Sequence, residues 1–392
     1  MSSNSDLVSH KEAWIGKIED GTLNRDEIAD IFMNMGMHYK RQPETFVARC
    51  HCGNIHATLK LAADILPLNA HICSCTVCRV AYGSFGGFHV TMAGHRPPDS
   101  YNPAFLQAFQ IPGTARDEEV RWFCRTCGAR HGIEDRSRDL FAVETALFDK
   151  KFWKFTGLAF PVSTGDGGLL DWHLPSREGD EGRLVEYQPF GEVAPTYEPE
   201  VGPDGEPRLR ARCCCGGVSF TIPRPGAAVR ENCYMSRFIS PVDKNKWKAY
   251  IDFSTESRLV TSAHFTPWML VPRVVLEPVV PPDLRLGTMR TYRSSDRVLR
   301  GFCGRCGATV FMKAADRSPA VSCEVLNVAM GILRAPEGVR AENWVTWRAG
   351  KPEFVKDGKK HDEGLTGDIE SGLMLWSLEE SADGDAPTFD IT

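Results

Sequence analysis

The sequence predicts a mainly β, largely antiparallel fold in two tandem copies, and three observations carry that expectation. Cys50-His-Cys52-Gly53 and Cys213-Cys214-Cys215-Gly216 repeat one motif about 163 positions apart. Each is answered downstream by Cys-x-x-Cys-Gly, at Cys124/Cys127-Gly128 and at Cys303/Cys306-Gly307. Between these anchors lie short runs rich in β-branched and aromatic residues, broken by Gly and Pro, with no alternation of strands and long helices.

At 392 residues the chain is long enough for two or three domains and a sizeable core. Its 42% apolar and 25% charged residues are those of an ordinary soluble protein. No apolar run approaches the roughly 20 residues of a membrane span. The opening MSSNSDLVSHKEAW has no basic stretch followed by an apolar one, so no secretory signal is expected and a cytoplasmic location is. In a reducing compartment, 14 cysteines grouped as Cys-x-Cys and Cys-x-x-Cys favour metal over disulfides. The net charge of −5 is concentrated at the C-terminal end, where residues 351–392 hold 4 Lys/Arg against 11 Asp/Glu. The near-neutral remainder carries no electrostatic footprint for nucleic acid.

Residues 1–45 read as a helical arm. Asn24 stands as an N-cap, Asp26 and Glu27 occupy the first turn, and Ile28, Ile31, Phe32 and Met35 follow at helical spacing. Residues 46–172 form the first copy, with strand-like runs at 55–61, 84–90, 119–123 and 140–144. A Gly-, Pro- and acid-rich stretch over 173–207 reads as a linker. The second copy spans 208–350, with strand-like runs at 218–222, 297–302, 308–311 and 325–329. The acidic tail, 351–392, reads as a solvated end whose one apolar patch, Leu373–Trp376, is able to dock back.

Cys50, Cys52, Cys124 and Cys127 make one expected four-thiolate zinc site, and Cys213, Cys215, Cys303 and Cys306 make a second. Two cysteines spaced i, i+2 on a strand share a face, and the Gly after each Cys-x-x-Cys lets the backbone turn back. Buried reduced thiols are the alternative, but they leave the repetition unexplained. Cys214 lies between ligands and should face the other way, and Cys323 reads as a core residue of a strand.

A third cluster, Cys73-Ser-Cys75-Thr-Val-Cys78, sits inside the first copy only. Three protein donors with an open fourth position are the pattern of a catalytic zinc. Completion by His51, His71 or His89 would make it structural instead. The same three histidines and Tyr82 are the nearby acid/base candidates, and the glycine-rich run Tyr82–Phe88 is either a pocket wall or a turn. In the second copy, Cys233, Met235 and Phe238 stand at the corresponding place in the sequence, and one thiol there cannot hold zinc alone.

The order Cys50-x-Cys52-Gly, Cys73-x-Cys75-x-x-Cys78-Arg79, Phe123-Cys124-x-x-Cys127-Gly resembles the glutathione-dependent formaldehyde-activating enzyme family, which includes centromere protein V. Arg212-Cys213-x-Cys215-Gly216 with Phe302-Cys303-x-x-Cys306-Gly307 resembles the same family with a degenerate centre. The resemblance implies Mss4-like β-tent zinc domains, with two structural zinc ions and one catalytic zinc on Cys73, Cys75 and Cys78. It also implies carbon–sulfur lyase chemistry on a small-molecule substrate, with glutathione as the candidate thiol and neither nucleic acid nor membrane as partner. Two other readings stay open: a non-enzymatic zinc-binding interaction module, and a zinc Lewis-acid enzyme acting on another carbonyl compound without glutathione.

Overall fold

The computed structural model describes residues 42–93, 103–111, 118–172, 184–187, 194–380 and 386–391. The helical arm expected over 1–45 lies outside the described residues, except for its end, where strand β1 (Glu44–Arg49) begins. The chain divides into two compact units. One gathers Met1–Thr45 and Lys60–Leu66, and the other gathers Phe46–Leu59 and Pro67–Thr392. All the cysteines of both copies therefore fall within the second unit.

Strand β1 pairs with β2 (His56–Leu61). The first large sheet draws on β3 (Leu68–Cys73), β4 (Gly87–Ala93), β5 (Leu106–Phe109), β6 (Glu119–Cys124), β7 (Arg130–Asp135), β8 (Leu140–Glu144), β9 (Trp153–Ala159) and β10 (Val185–Tyr187). Its order is β10-β9-β3-β4-β8-β7-β6-β5. A small sheet joins β11 (Glu200–Val201), β12 (Pro207–Arg212) and β13 (Ser219–Pro223). The second large sheet holds β14 (Trp247–Asp252), β15 (Thr266–Pro272), β16 (Met289–Ser295), β17 (Val298–Cys303), β18 (Thr309–Ala314), β19 (Val325–Ala329) and β20 (Val345–Trp347). Its order, β20-β14-β15-β19-β18-β17-β16, repeats that of the first sheet from β9 to β5, strand for strand. Pairing within the two large sheets is antiparallel as expected, except that β9 lies parallel to both β3 and β10, and β20 lies parallel to β14. In each sheet a late strand, β9 or β20, returns to lie beside the first, β3 or β14, which a local reading of hairpins does not anticipate.

A seven-residue helix follows the first strand of each sheet: α1 (Thr76–Tyr82) after β3 and, beyond the short α2 (Ala227–Glu231), α3 (Thr255–Thr261) after β14. Both end in a left-handed residue, Gly83 and Ser262. The two sheets share one core. Their contact is reciprocal: a Cβ on Gly128 would stand 2.7 Å from the Phe302 ring, and one on Gly307 would stand 2.6 Å from the Phe123 ring. Both glycines also have positive φ, +85° and +70°, so turn geometry and close approach demand the same residue. Arg130 donates across this contact to the Cys306 carbonyl at 2.8 Å.

The acidic tail is not a solvated end. It forms α4 (Val355–His361) and α5 (Glu363–Glu380), and Leu365, Ile369 and Leu373 are buried in the common core. Trp376 lies 5.5 Å from Trp172 between ring centroids. The physical reason is the apolar i, i+4, i+8 stripe inside the acidic composition, which gives the helix one buried face.

Candidate metal centres

Cys50 and Cys52 lie just beyond β1, Cys124 ends β6 and Cys127 lies in the turn before β7. The four sulfurs lie within 4.8 Å of one another. Cys50 and Cys52 are 3.4 Å apart, and Cys52 and Cys124 are 3.5 Å apart. Four sulfurs at the usual 2.3 Å from zinc would be spaced about 3.8 Å from each other, so the donor set fits a tetrahedral ion. Cys213, Cys215, Cys303 and Cys306 form the matching group, with separations of 3.6 Å and 3.5 Å along Cys213–Cys215–Cys303. Backbone amides aim at these sulfurs: Ile55 N–H at Cys50 (3.2 Å), Val218 N–H at Cys213 (3.2 Å) and Gly217 N–H at Cys215 (3.4 Å). Such donors favour thiolate over thiol and orient the ligands. Cys214 does not join this group; its sulfur neighbours Cys306 and faces the Val77 carbonyl at 3.8 Å. Cys323 is half-buried in a short 3₁₀ turn before β19 rather than in the strand core.

The third cluster is built by one strand end and one helix start. Cys73 closes β3, Cys75 caps α1 and accepts the Cys78 amide at 3.4 Å, and Cys78 is the helix's third residue. Their sulfurs fall within 4.8 Å of one another, all buried, and no disulfide forms. Among the described residues, no fourth Cys, His, Asp or Glu joins this group. The three donors present fit a soft cation with one corner left over.

The wall around the trio comes from three adjacent strands. His71, His89 and Glu144 are register partners across β3, β4 and β8. His89 Nε2 is 4.0 Å from Cys78 Sγ, while its Nδ1 is 3.3 Å from Glu144. Glu144 also accepts a short hydrogen bond from the Tyr82 hydroxyl. A Cβ on Gly87, the strand partner of Cys73, would stand 2.4 Å from His89 Nε2, so glycine there clears the space this ring occupies. Arg121 Nη1 lies 3.5 Å from Cys78 Sγ. Hydrogen bonds from Cys73 and Cys75 hold the Cys78 thiol well below its usual range against burial, with help from the Arg121 charge. Burial is the largest single influence and opposes the charged form of His89, but Glu144 and Cys78 together outweigh it and raise the ring to about 9. Burial and the neighbouring His89 lower His71 to about 4.

Of the acid/base candidates, the fold brings His71, His89 and Tyr82 to the trio. His51 instead bonds Tyr292 of the second copy at 2.8 Å. Glu144 and Arg121 were not legible as site residues. Each stands as a charge within a run of strand residues, and only the strand register pairs them with His89 and Cys78. The Tyr82–Phe88 run is the buried turn from α1 into β4.

The counterpart of the trio in the second copy is not Cys233/Met235/Phe238. Cys233 is exposed, and Met235–Phe238 is a 3₁₀ turn that precedes β14. The equivalent strand end, helix cap and third helical residue are Asp252, Ser254 and Ser257. The hydrogen bond at the cap is preserved, with the Ser257 amide on Ser254 Oγ at 3.2 Å. Arg300, on the strand equivalent to that of Arg121, donates to Ser257 Oγ at 3.2 Å. Trp268 takes the place of His89 and donates to Asp252 at 3.2 Å. Ser257 donates to the same carboxylate. Where the first copy offers three sulfurs, the second is closed by its own hydrogen bonds. Sequence proximity to the Cys213 motif misled because an additional helix and turn intervene before β14.

A mainly β fold with three cysteine clusters able to hold metal, one of them short of a fourth donor among the described residues, defines a class of β proteins with cysteine-built metal centres. Within it, residues 45–157 match the profile of the glutathione-dependent formaldehyde-activating enzyme family. That span runs from β1 into β9 and holds the first four-cysteine group and the trio. Comparisons with curated proteins and with solved structures give no match to this chain. No helix among the described residues is long and apolar enough to cross a membrane.

Proposed function

We propose that the chain is a zinc-dependent enzyme of the carbon–sulfur lyase type, joining a thiol to a carbonyl compound or releasing it, at Cys73, Cys75 and Cys78. The family match over the first copy supports glutathione as the thiol and formaldehyde or a related aldehyde as its partner. The observation that carries this reading is the trio of buried sulfurs with no fourth protein donor among the described residues. A zinc ion held there would supply Lewis acidity and favour the ionised form of a thiol. The chain's own residues would do the rest. Glu144 fixes Nδ1 of His89 and so presents Nε2 toward the sulfur centre. Raised to about 9, the ring is protonated near neutral pH, so Nε2–H can give its proton to the carbonyl oxygen as the C–S bond forms, and the proton lost by the ionising thiol then restores the ring. Tyr82 holds Glu144 in place, and Arg121 offsets negative charge on Cys78.

In this proposal the chain is a tandem duplication within one family. Domain 1 (46–172) carries a structural zinc on Cys50, Cys52, Cys124 and Cys127 together with the catalytic one. Domain 2 (208–350) carries only the structural zinc on Cys213, Cys215, Cys303 and Cys306. The linker, 173–207, contributes the short edge strands β10 and β11. The test is the triple variant Cys73→Ala/Cys75→Ala/Cys78→Ala, assayed with glutathione and formaldehyde. The expected result is loss of turnover and of one zinc per chain, with the other two retained. Full activity in the triple variant would refute the site.

A further inference from the structure

The second copy carries a charged groove that the chemistry of the trio does not use. It is a cavity of about 730 Å³ bounded by 196–200, β12, Arg224 and the segment from Arg334 to Trp344. On β12, Arg208, Arg210 and Arg212 alternate and so share the sheet face turned to the groove, while Leu209, Ala211 and Cys213 turn into the core. Arg224 and Arg334 reach the same space from other segments.

Two of the five guanidinium groups are matched. Arg210 pairs with Glu200 through two hydrogen bonds of 2.8 and 3.1 Å from Nε. Arg208 bonds Glu277 at 2.8 Å and Asp204 at 2.9 Å. The other three meet no carboxylate among the described residues. Arg334 donates to the Arg212 carbonyl at 3.0 Å and lies over the Tyr197 ring at 5.4 Å. Arg224 donates to the Asn343 carbonyl at 2.7 Å and stacks on Trp344 at 4.3 Å. These contacts fix the direction of the Arg334 and Arg224 forks without an ion pair, while the Arg212 side chain stands exposed. Tyr197 lines the groove as well, its ring lying beneath Arg334. Of the lining carboxylates outside the Arg210 pair, Glu337 is engaged by the Asn343 amide at 3.0 Å and Glu198 is exposed.

We propose that this groove binds a small polyanion carrying two or more carboxylate or phosphate groups, held by Arg212, Arg224 and Arg334. The oriented Arg224 and Arg334 forks, with Arg212 beside them on a cavity of ligand size, suit planar oxyanions and give them charge-assisted, two-pronged bonds. The groove is separate in sequence from the trio, so this binding does not depend on the lyase reading.

The test is calorimetric titration of the full, zinc-loaded chain with citrate and, separately, with pyrophosphate, repeated for Arg212→Gln and Arg334→Gln. Tighter binding of citrate assigns the site to carboxylates, and tighter binding of pyrophosphate assigns it to phosphates. Either variant is expected to weaken the preferred anion about tenfold or more, with three zinc ions still bound. The Arg212 side chain is exposed, so Arg212→Gln tests the groove even if Arg334→Gln fails to fold. Failure of both anions to bind more tightly than about 1 mM, or equal binding by parent and Arg212→Gln, would overturn the proposal.

Discussion

Replacing Asp252 by Ala would expose what holds the second copy's centre together in place of metal. Asp252 is only 2% exposed and accepts three hydrogen bonds: from the Ser254 amide at 2.8 Å, from Trp268 Nε1 at 3.2 Å and from the Ser257 hydroxyl. Truncation leaves the buried Trp268 N–H without its acceptor, at a cost of about 1–3 kcal/mol. The Ser254 and Ser257 bonds contribute about 0.5–1.5 kcal/mol each. Arg300 keeps Glu256 at 3.1 Å, so its charge is not stranded. The sum is a loss of about 2–6 kcal/mol, against about half of that for Asp252→Asn, which preserves the volume and one acceptor. Urea unfolding of the zinc-loaded protein, followed by tryptophan fluorescence, measures both variants. Asp252→Ala within about 1 kcal/mol of the parent would refute the view that this network substitutes for a metal.

Three further outcomes follow from the geometry. Glu144→Gln should lower kcat for glutathione and formaldehyde about ten- to hundredfold while three zinc ions remain bound; an unchanged kcat would remove Glu144 from the site. His131 is buried, and burial lowers its ring to about 4 from 6.5, so the unfolded chain takes up this proton first as pH falls below 6.5. Stability from this residue should fall by about 2 kcal/mol between pH 7 and pH 5, read as the difference between parent and His131→Phe, and parallel pH profiles would contradict it. Leu373→Ala should destabilise the fold by about 2–5 kcal/mol, because the side chain is fully buried; a shift below about 0.5 kcal/mol would mean that α5 is not docked.

The two four-cysteine groups and the trio were legible because ligand spacing is a local property: Cys-x-Cys, Cys-x-x-Cys and the glycine after them occupy single turns. The strand-rich texture was legible from the same short-range pattern. What escaped was set by register. Glu144 and Arg121 become site residues only because β8 lies beside β4 and because Arg121 on β6 reaches Cys78. The counterpart of Cys73 in the second copy was misplaced at Cys233, since α2 and the turn after it intervene before β14 and sequence distance cannot discount them. The tail misled in another way: its net charge hid the Leu365, Ile369, Leu373 stripe that anchors it.

Anomalous scattering at the zinc absorption edge bears most directly on the trio. Three peaks per chain are expected. Two should lie at the centres of the four-cysteine groups, and a third among Cys73, Cys75 and Cys78, with no protein atom at its fourth corner. Two peaks only, or a third peak capped by His89 or another side chain, would contradict a catalytic centre there.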